Sequence, residues 1–258
     1  MGWGDELMAA GEAQAKAGER HIKIAILDTS GNPRWHDAWE NHPLIARPGQ
    51  AYQDNITNGP GARGYVDRLT TRAWIWRKYK PIPAKMYFSE AEKKFAESVG
   101  SDFVVIEPSL KGKKESINRD WGWDRWQTLV HLMPEIQWVQ LGPEDTKALD
   151  GARRIQTDTP RLMAAALSKA RAFVSPEGGM HHTAAAVGVP GVVIHGHFNS
   201  AGVTGYPNMI HISTQELGCG SRIFCQACRD AMERITPHAV ATSLNLILDR
   251  EHARPCDA

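Results

Sequence analysis

Residues 173–190 read FVSPEGGMHHTAAAVGVP, and this stretch decides the predicted fold. A short apolar run ends in a Pro-Glu-Gly-Gly turn, and an alanine-rich segment closed by Gly188 follows at once. The pattern predicts a buried strand that leads directly into a helix. Adjacent glycines allow close approach of a ligand, and a helix amino terminus carries free N–H groups and partial positive charge. The segment suits a phosphate at the carboxyl end of a parallel sheet, and a plain glycine-rich turn fits it equally well.

Strands and helices alternate on both sides of this stretch. Apolar runs predict strands over 101–107, 136–141, 172–175 and 191–195, and helical spacing predicts helices over 123–133, 160–170 and 236–249. Thr159 followed by Pro160 is typical of a helix start, because threonine caps and proline fits the first helical position. The alternation predicts an α/β protein with a doubly wound parallel sheet.

The amino-terminal part begins in the same way and then loses its periodicity. We predict a helix over 5–17, a strand over 23–27, a loop-dominated region over 32–63, and helices over 68–79 and 89–99. Ser89 with Glu92 three residues later matches a capping box. We therefore divide the chain into a small amino-terminal α/β domain over 1–98, a Rossmann-like domain over 99–250 and a tail over 251–258.

Composition narrows the class of protein. The chain has 258 residues, of which 42% are hydrophobic and 23% charged, which excludes a fibrous or disordered protein. Thirty Lys and Arg against 29 Asp and Glu predict no stable nucleic-acid or membrane partner. No apolar run reaches the roughly 20 residues that span a bilayer, and no charged, apolar leader opens the sequence. With only four cysteines, we expect a cytoplasmic location.

The glycine-rich stretch resembles the donor-binding motif of the heptosyltransferase-like glycosyltransferases, family 9, which reads roughly S-N-D-S-G-x-x-H-x-A-A-A-x-G-x-P. The matching positions are Ser175, Gly179, His182, Ala184, Ala185, Ala186, Gly188 and Pro190. Glu177 stands where the family has aspartate, and Gly178 where it has serine or threonine. The resemblance implies a GT-B-like fold, in which two Rossmann-like parallel-sheet domains face a cleft, the amino-terminal one being reduced here. It makes residues 1–98 the acceptor-side domain and residues 99–250 the nucleotide-sugar-binding domain.

Other segments resemble the same family in the same order. Residues 107–126 are similar to H-P-G-(loop)-K-x-W-P-x-x-x-W, with Arg119 at or beside the phosphate-binding lysine. Residues 2–8 are similar to the I-G-D-x-(L/V) segment, which gives Asp5 the position of the general base. Residues 196–206 resemble the segment after the strand whose backbone lines the donor cleft, beginning at Gly196. Residues 219–237 resemble the family's cysteine-bearing tail.

The resemblance implies transfer of a sugar, with inversion, from a nucleotide-diphosphate-sugar donor to a hydroxyl on a glycan or other acceptor. Asp5 would take the proton from the acceptor hydroxyl, Arg119 and the helix start would stabilise the departing diphosphate, and Glu177 would hold sugar hydroxyls. The donor-binding residues implied are Arg119, Glu177, Gly178, Gly179, His182 and Gly196. No cofactor is implied, and no metal ion is needed for catalysis.

Two other functions fit the same residues. In the family a strand precedes the glycine turn, and here either the protein extends further upstream or its amino-terminal sheet has lost that strand or been rebuilt. A GT-B scaffold that binds a nucleotide or glycan without catalysis is therefore one alternative. A GT-B sugar-nucleotide epimerase or hydrolase is the other, since both bind the donor and need no acceptor.

Metal binding is a separate question. Cys219, Cys225 and Cys228 either are free thiols or bind zinc, with His211 or Cys256 as fourth ligand. Histidines 181, 182, 195 and 197 form a second possible cluster, which the resemblance to the donor motif already explains in part.

Overall fold

The computed structural model describes residues 2–59, 61–108, 114–214 and 218–252. In the amino-terminal part the elements are α1 (Trp3–Ala17), β1 (Ile24–Leu27), β2 (Ile45–Ala46), β3 (Asp54–Thr57), β4 (Val66–Leu69), β5 (Trp74–Trp76) and α2 (Glu90–Val99). They continue with β6 (Val104–Ile106), α3 (Trp123–Leu132), β7 (Trp138–Gly142), β8 (Arg153–Gln156), α4 (Pro160–Leu167) and β9 (Ala172–Pro176). The chain then forms α5 (Gly179–Val187), β10 (Gly191–Gly196), α6 (Ala201–Thr204), β11 (Met209–Ser213), α7 (Gln226–Arg234) and α8 (Pro237–His252).

The larger sheet is parallel throughout and has the strand order β11-β10-β9-β6-β7-β8. Its central strands alternate between two buried faces, as in β6, where Val104 and Ile106 pack with α3 and α8 while Val105 packs with α4 and α5. Parallel strands covered by helices on both faces are the mark of a doubly wound domain. The predicted doubly wound sheet is therefore confirmed.

The smaller sheet is also parallel, with the order β2-β1-β3. Helix α1 packs against it through Leu7 and Ala10, which share an apolar cluster with Ile24 and Ile26 of β1. The buried Glu6 carboxylate forms two hydrogen bonds with Arg34, at 3.2 and 2.7 Å, which anchors α1 to the chain after β1. A short parallel sheet beside the larger one agrees with the reduced amino-terminal half of a GT-B-like fold.

Helix boundaries follow the predicted caps. Thr159 accepts a hydrogen bond from the Leu162 N–H at 3.2 Å, and Ser89 forms the expected capping box with Glu92. Helix α5 begins and ends where the alanine-rich stretch predicted, and Gly188 closes it in the left-handed region with φ of 79°.

The helix predicted over 68–79 is wrong. This segment forms an antiparallel hairpin from β4 and β5, in which Val66 pairs with Trp76 and Leu69 with Trp74. Distant partners decide this outcome, because the Trp76 indole donates to the Phe198 carbonyl at 2.8 Å and the Trp74 N–H donates to Gly220 at 2.9 Å. A strand can offer the Trp74 main-chain N–H to a distant carbonyl, whereas a helix would use the same N–H in its own hydrogen bonds.

The loop-dominated region over 32–63 contains β2, β3 and a short 3-10 helix over Asp37–Trp39. Neither strand was predicted from the sequence. Strand β2 has only two residues, and β3 has mostly polar side chains at half-buried and exposed positions. Within the described residues, no helix is long and apolar enough to cross a membrane.

Candidate functional site

A cavity of about 490 Å³ lies between the two sheets. One wall is formed where four neighbouring strands of the larger sheet end, by Glu107, Gly142, Thr157 and Glu177. The opposite wall comes from the first turn of α1, including Trp3 and Asp5, and from Tyr65 just before β4. Ligands of α/β proteins bind at the carboxyl ends of the strands, and the volume suits a small-molecule ligand.

The turn between β9 and α5 is fixed by the buried ring of His181. Its Nδ1 accepts a hydrogen bond from the Gly178 N–H, and its Nε2 lies 3.0 Å from the Thr204 carbonyl. These partners place the ring proton on Nε2. Burial lowers the pKa of His181 to about 4, so the ring is neutral at pH 7. The histidine therefore holds the glycine turn in place without adding charge to the cavity.

The starts of α1 and α5 lie against each other. A Cβ atom at Gly4 would lie 2.4 Å from Cδ2 of His182, so only glycine allows this approach. The Trp3 indole donates to Thr183 Oγ1 at 3.0 Å, and His182 Nδ1 lies 2.9 Å from the Tyr206 hydroxyl. Burial and the neighbouring His181 and His195 lower the pKa of His182 well below its usual value. Both helix starts thus face the cavity as one surface.

Arg119 and Glu177 form an ion pair at the cavity wall. The Arg119 Nη1 lies 2.9 Å from the Glu177 carboxylate and 3.2 Å from its main-chain carbonyl. The guanidinium also lies over the Phe198 ring, 5.1 Å from its centroid. The Arg119 Nε is buried and has no hydrogen-bond partner among the described residues. The Arg119 side chain lines the cavity and carries a fixed positive charge, which favours an anionic ligand.

Asp5 lies on the other side of the same cavity, in the first turn of α1. Its carboxylate accepts hydrogen bonds from the Gly2 N–H at 2.8 Å and from the Tyr65 hydroxyl, and Arg63 Nη2 lies 3.2 Å away. Burial, followed by the charges of Asp5 and, more weakly, Glu177, raises the pKa of Tyr65 well above 10. Tyr65 therefore stays protonated and donates its hydroxyl hydrogen to Asp5.

No protein-family profile and no curated protein matches the sequence. The structure matches E. coli heptosyltransferase WaaC with ADP-2-deoxy-2-fluoro heptose at a TM-score of 0.55, with 12% identity over 98% of each chain. The chain has a GT-B-like fold. The resemblance to heptosyltransferases that the motifs predicted is confirmed at the level of the fold.

Two further solved structures, a heptosyltransferase and a family 9 glycosyl transferase, match at lower TM-scores. E. coli ADP-heptose lps heptosyltransferase II matches at a TM-score of 0.49 and 19% identity, over 68% of this chain and 56% of that one. The glycosyl transferase family 9 structure from Veillonella parvula matches at 0.48 and 12%, over 66% and 55%. The chain thus spans about half the length of these two proteins.

Most of the predicted site residues line the GT-B-like cleft. Asp5, Arg119, Glu177, Gly178, Gly179 and His182 all face the cavity. Gly196 does not line it: its carbonyl accepts hydrogen bonds from the Thr214 N–H and hydroxyl, both at 2.9 Å. A Cβ atom there would lie 2.8 Å from Met232 Sδ, so this glycine serves packing against α7.

Sequence reasoning missed the far end of the cleft. Gly142, Thr157, Asp158 and Met163 line the cavity after β7, after β8 and along α4. The Thr157 hydroxyl is buried and has no hydrogen-bond partner among the described residues. The contribution of β7 could have been predicted, because β7 was expected to end at the same edge of the sheet as β9. Strand β8 was not predicted, because three of its four residues are exposed.

Two groups of side chains in the described ranges have the composition of a metal site. The first is Glu177 with His181 and His182. It fits a metal poorly, because both ring nitrogens of His181 are hydrogen-bonded to the main chain and Glu177 is paired with Arg119. The second is the cysteine trio Cys219, Cys225 and Cys228. His211, suggested as its fourth ligand, instead bonds His195 at 3.0 Å and the Tyr206 main chain, and Cys256 lies outside the described residues.

Proposed function

We propose that the chain transfers a sugar from a nucleotide-diphosphate-sugar donor to an acceptor hydroxyl, with inversion at the anomeric carbon. The observation that carries this proposal is that a carboxylate, Asp5, and an arginine–glutamate pair, Arg119 and Glu177, face one cavity from opposite domains. The GT-B-like fold supports it, since the cavity lies between the two sheets of that fold.

The donor would lie along the carboxyl ends of the larger sheet. Its diphosphate would sit at the start of α5 and beside Arg119, where helix N–H groups and the guanidinium carry positive charge. The nucleoside would extend toward Thr157 and Met163, which line the far end of the cavity. The sugar would then lie near Glu177, whose carboxylate accepts hydrogen bonds from hydroxyl groups.

Asp5 would act as the general base. The acceptor oxygen attacks the anomeric carbon, the bond from that carbon to the diphosphate oxygen breaks, and the departing nucleoside diphosphate keeps the electron pair. The acceptor proton passes to Asp5, and Arg119 with the α5 start stabilises the charge that develops on the leaving group. A carboxylate has about four acceptor sites, so its three donors, Gly2, Tyr65 and Arg63, leave room for one acceptor hydroxyl.

The donor is tested first, by thermal unfolding against ADP, UDP, GDP, CDP, dTDP and their sugars. A ligand at 100 times its dissociation constant adds about 2.7 kcal/mol to the free energy of unfolding, so one nucleotide should give a clear rise. A folded sample that responds to none of them would contradict the donor cleft. A cytoplasmic location fits such a donor and the free thiols of the three described cysteines.

Catalysis is tested with Asp5→Asn. We expect donor affinity to persist while the rate of transfer falls at least about 100-fold, because the variant cannot take the proton. Asp67→Asn is the control, since Asp67 is an exposed hairpin carboxylate paired with Arg77 outside the cavity. Unchanged transfer in Asp5→Asn would contradict the base. Donor binding without transfer in the wild type would favour the non-catalytic alternative, and consumption of donor without acceptor would favour the epimerase or hydrolase.

A further inference from the structure

The cysteine trio lies outside the cavity, next to the segment that carries Arg119. The Cys219 sulfur is 3.0 Å from that of Cys228 and 3.8 Å from that of Cys225, and all three sulfurs lie within 4.8 Å of one another. All three are free thiols. Sulfur atoms around a tetrahedral Zn²⁺ ion, each 2.3 Å from the metal, lie about 3.8 Å apart. The trio is therefore of the size that one metal ion requires.

The backbone around the trio is shaped to present the sulfurs. The Ser221 N–H points at the Cys219 sulfur at 3.4 Å, and the intervening Gly220 has φ of 63°. Cys225 is the N-cap of α7, and Cys228 lies in the first turn of that helix. A Cys-x-x-Cys pair at a helix start joined by a third cysteine from a tight glycine turn is a spacing that thiolate metal sites use.

We propose that Cys219, Cys225 and Cys228 bind one thiophilic divalent metal ion of the zinc type. Each thiol loses its proton to solvent as its sulfur binds the metal. In the described residues no fourth His, Cys, Asp or Glu atom joins the group, and the half-buried Cys219 and Cys225 leave solvent access, so a water molecule takes the fourth position. Soft thiolate ligands select zinc or iron over magnesium or calcium.

The role of this metal is to hold the segments that build the cleft. The Asn118 amide donates to the carbonyls of Ser221 at 2.8 Å and Ile223 at 2.7 Å, and its oxygen accepts from the Cys225 N–H at 2.9 Å. Asn118 directly precedes Arg119 in the chain. The loop between Cys219 and Cys225 is thereby fastened to the segment that positions the guanidinium.

The same loop holds the β4–β5 hairpin. The Trp74 N–H donates to the Gly220 carbonyl at 2.9 Å, and the Arg222 N–H donates to the Arg72 carbonyl at 2.8 Å. Ala73 and Ser221 form an isolated antiparallel bridge. Tyr65, which bonds Asp5, leads into this hairpin. One metal ion bound by the cysteine trio would therefore fix the segment that carries Arg119 and the β4–β5 hairpin relative to each other.

The test measures metal in the purified full-length chain by elemental analysis and by titration with Co²⁺, whose thiolate complexes absorb visible light. We expect about one Zn²⁺ or Fe per chain, sulfur-to-cobalt bands after exchange, and a higher unfolding temperature with metal than with chelator. Cys225→Ser should lose the bound metal and the bands. Cys225 is half-buried at a helix cap, so we expect this variant to fold. A substitution at the fully buried Cys228 would disturb the core as well as the metal site.

Cys256→Ser is the matched control and should keep the metal. Full metal content in Cys225→Ser would overturn the assignment to this trio, and metal loss in Cys256→Ser would overturn water as the fourth ligand. Protein that contains no metal as purified and takes up no Co²⁺ after reduction of its thiols would also overturn the proposal. These readouts do not depend on sugar transfer, so the metal site and the proposed function stand or fail separately.

Discussion

The Tyr65 hydroxyl donates a hydrogen bond to the Asp5 carboxylate, which joins the β4–β5 hairpin to the first turn of α1. The Tyr65 ring stacks on Trp76, with ring centroids 6.1 Å apart, and Trp76 stacks in turn on Trp74. The orientation of the carboxylate thus depends on a hairpin that distant parts of the chain hold in place. A base that must meet an acceptor hydroxyl at one angle benefits from such a fixed donor.

Tyr65→Phe is expected to lower kcat for transfer about 10- to 100-fold while the dissociation constant of the donor stays within about twofold. The reason is that a hydrogen bond to a charged group contributes about 1.5–3 kcal/mol, and without it the carboxylate can rotate. Steady-state kinetics with separate donor-binding calorimetry measures both quantities.

Tyr79→Phe is the control for this change. The Tyr79 hydroxyl bonds the Glu12 carboxylate in the same way, but neither residue lines the cavity. The two variants should therefore lose similar stability, and only Tyr65→Phe should lose turnover. Equal kcat in both would show that the Tyr65 hydroxyl has no part in orienting Asp5.

Because Arg119 and Glu177 carry opposite charges, replacing each should change binding of the free nucleoside diphosphate in a different direction. Arg119→Ala should weaken binding of the free nucleoside diphosphate about 10- to 100-fold, because a charge-assisted contact is lost. Glu177→Gln should bind the same diphosphate at least as tightly as the wild type, since a nearby negative charge is removed, yet bind the nucleotide sugar more weakly. Calorimetry with both ligands separates these effects.

Arg125→Ala provides the comparison for Arg119→Ala. Arg125 donates to the Trp121 carbonyl at 2.9 Å and does not line the cavity. Its loss should leave both affinities unchanged. If Arg119→Ala and Glu177→Gln weakened binding of the free nucleoside diphosphate equally, then Arg119 would not be the residue that binds the diphosphate, nor Glu177 the residue that binds the sugar.

The elements of the larger sheet were predicted well, because the residues that start, stop and bury them are close together in the sequence. Strand β9, helix α5 and the caps at Ser89 and Thr159 each combine an apolar pattern with a residue that starts or stops an element. The six donor-binding residues came from the resemblance to the family motifs and not from these local signals, and five of them line one cavity.

The errors come from long-range contacts that no local window contains. The β4–β5 hairpin gains its geometry from Phe198 and Gly220, more than 100 residues away in the chain. Residues 68–79 can be aligned with a helical period, so the tertiary contacts override the local pattern. The pairing of Arg119 with Glu177 was equally hidden, because their 58-residue separation gives no sign that they meet.

Gly4→Ala should destabilise the protein by about 1–3 kcal/mol, although Gly-to-Ala changes within helices usually stabilise by about 0.5–1 kcal/mol. The new methyl group would lie 2.4 Å from the His182 ring, so α1 must move away from α5. Gly179→Ala is the control, because its methyl group meets Trp3 at an ordinary 3.8 Å. Chemical denaturation of both variants tests this, and equal stability would contradict the close helix contact.

The buried His181 predicts a loss of stability in mild acid. Its pKa is lowered by burial from 6.5 to about 4, so the unfolded chain binds a proton between these values that the folded chain excludes. The contribution of this histidine is fully present above about pH 6.5 and declines as the pH falls toward 4. Since one pKa unit corresponds to about 1.4 kcal/mol, the loss from pH 6.5 to pH 5 should be about 2 kcal/mol.

The variant His181→Asn isolates this contribution. Its free energy of unfolding should be lower at pH 7, because the bonds to Gly178 and Thr204 change, but should fall about 2 kcal/mol less than that of the wild type between pH 6.5 and 5. His238→Asn, at an exposed position of α8, should follow the wild-type curve. Urea unfolding at several pH values gives these slopes. Parallel curves for wild type and His181→Asn would mean that the ring takes up its proton in the folded state, and the glycine turn would then carry a positive charge.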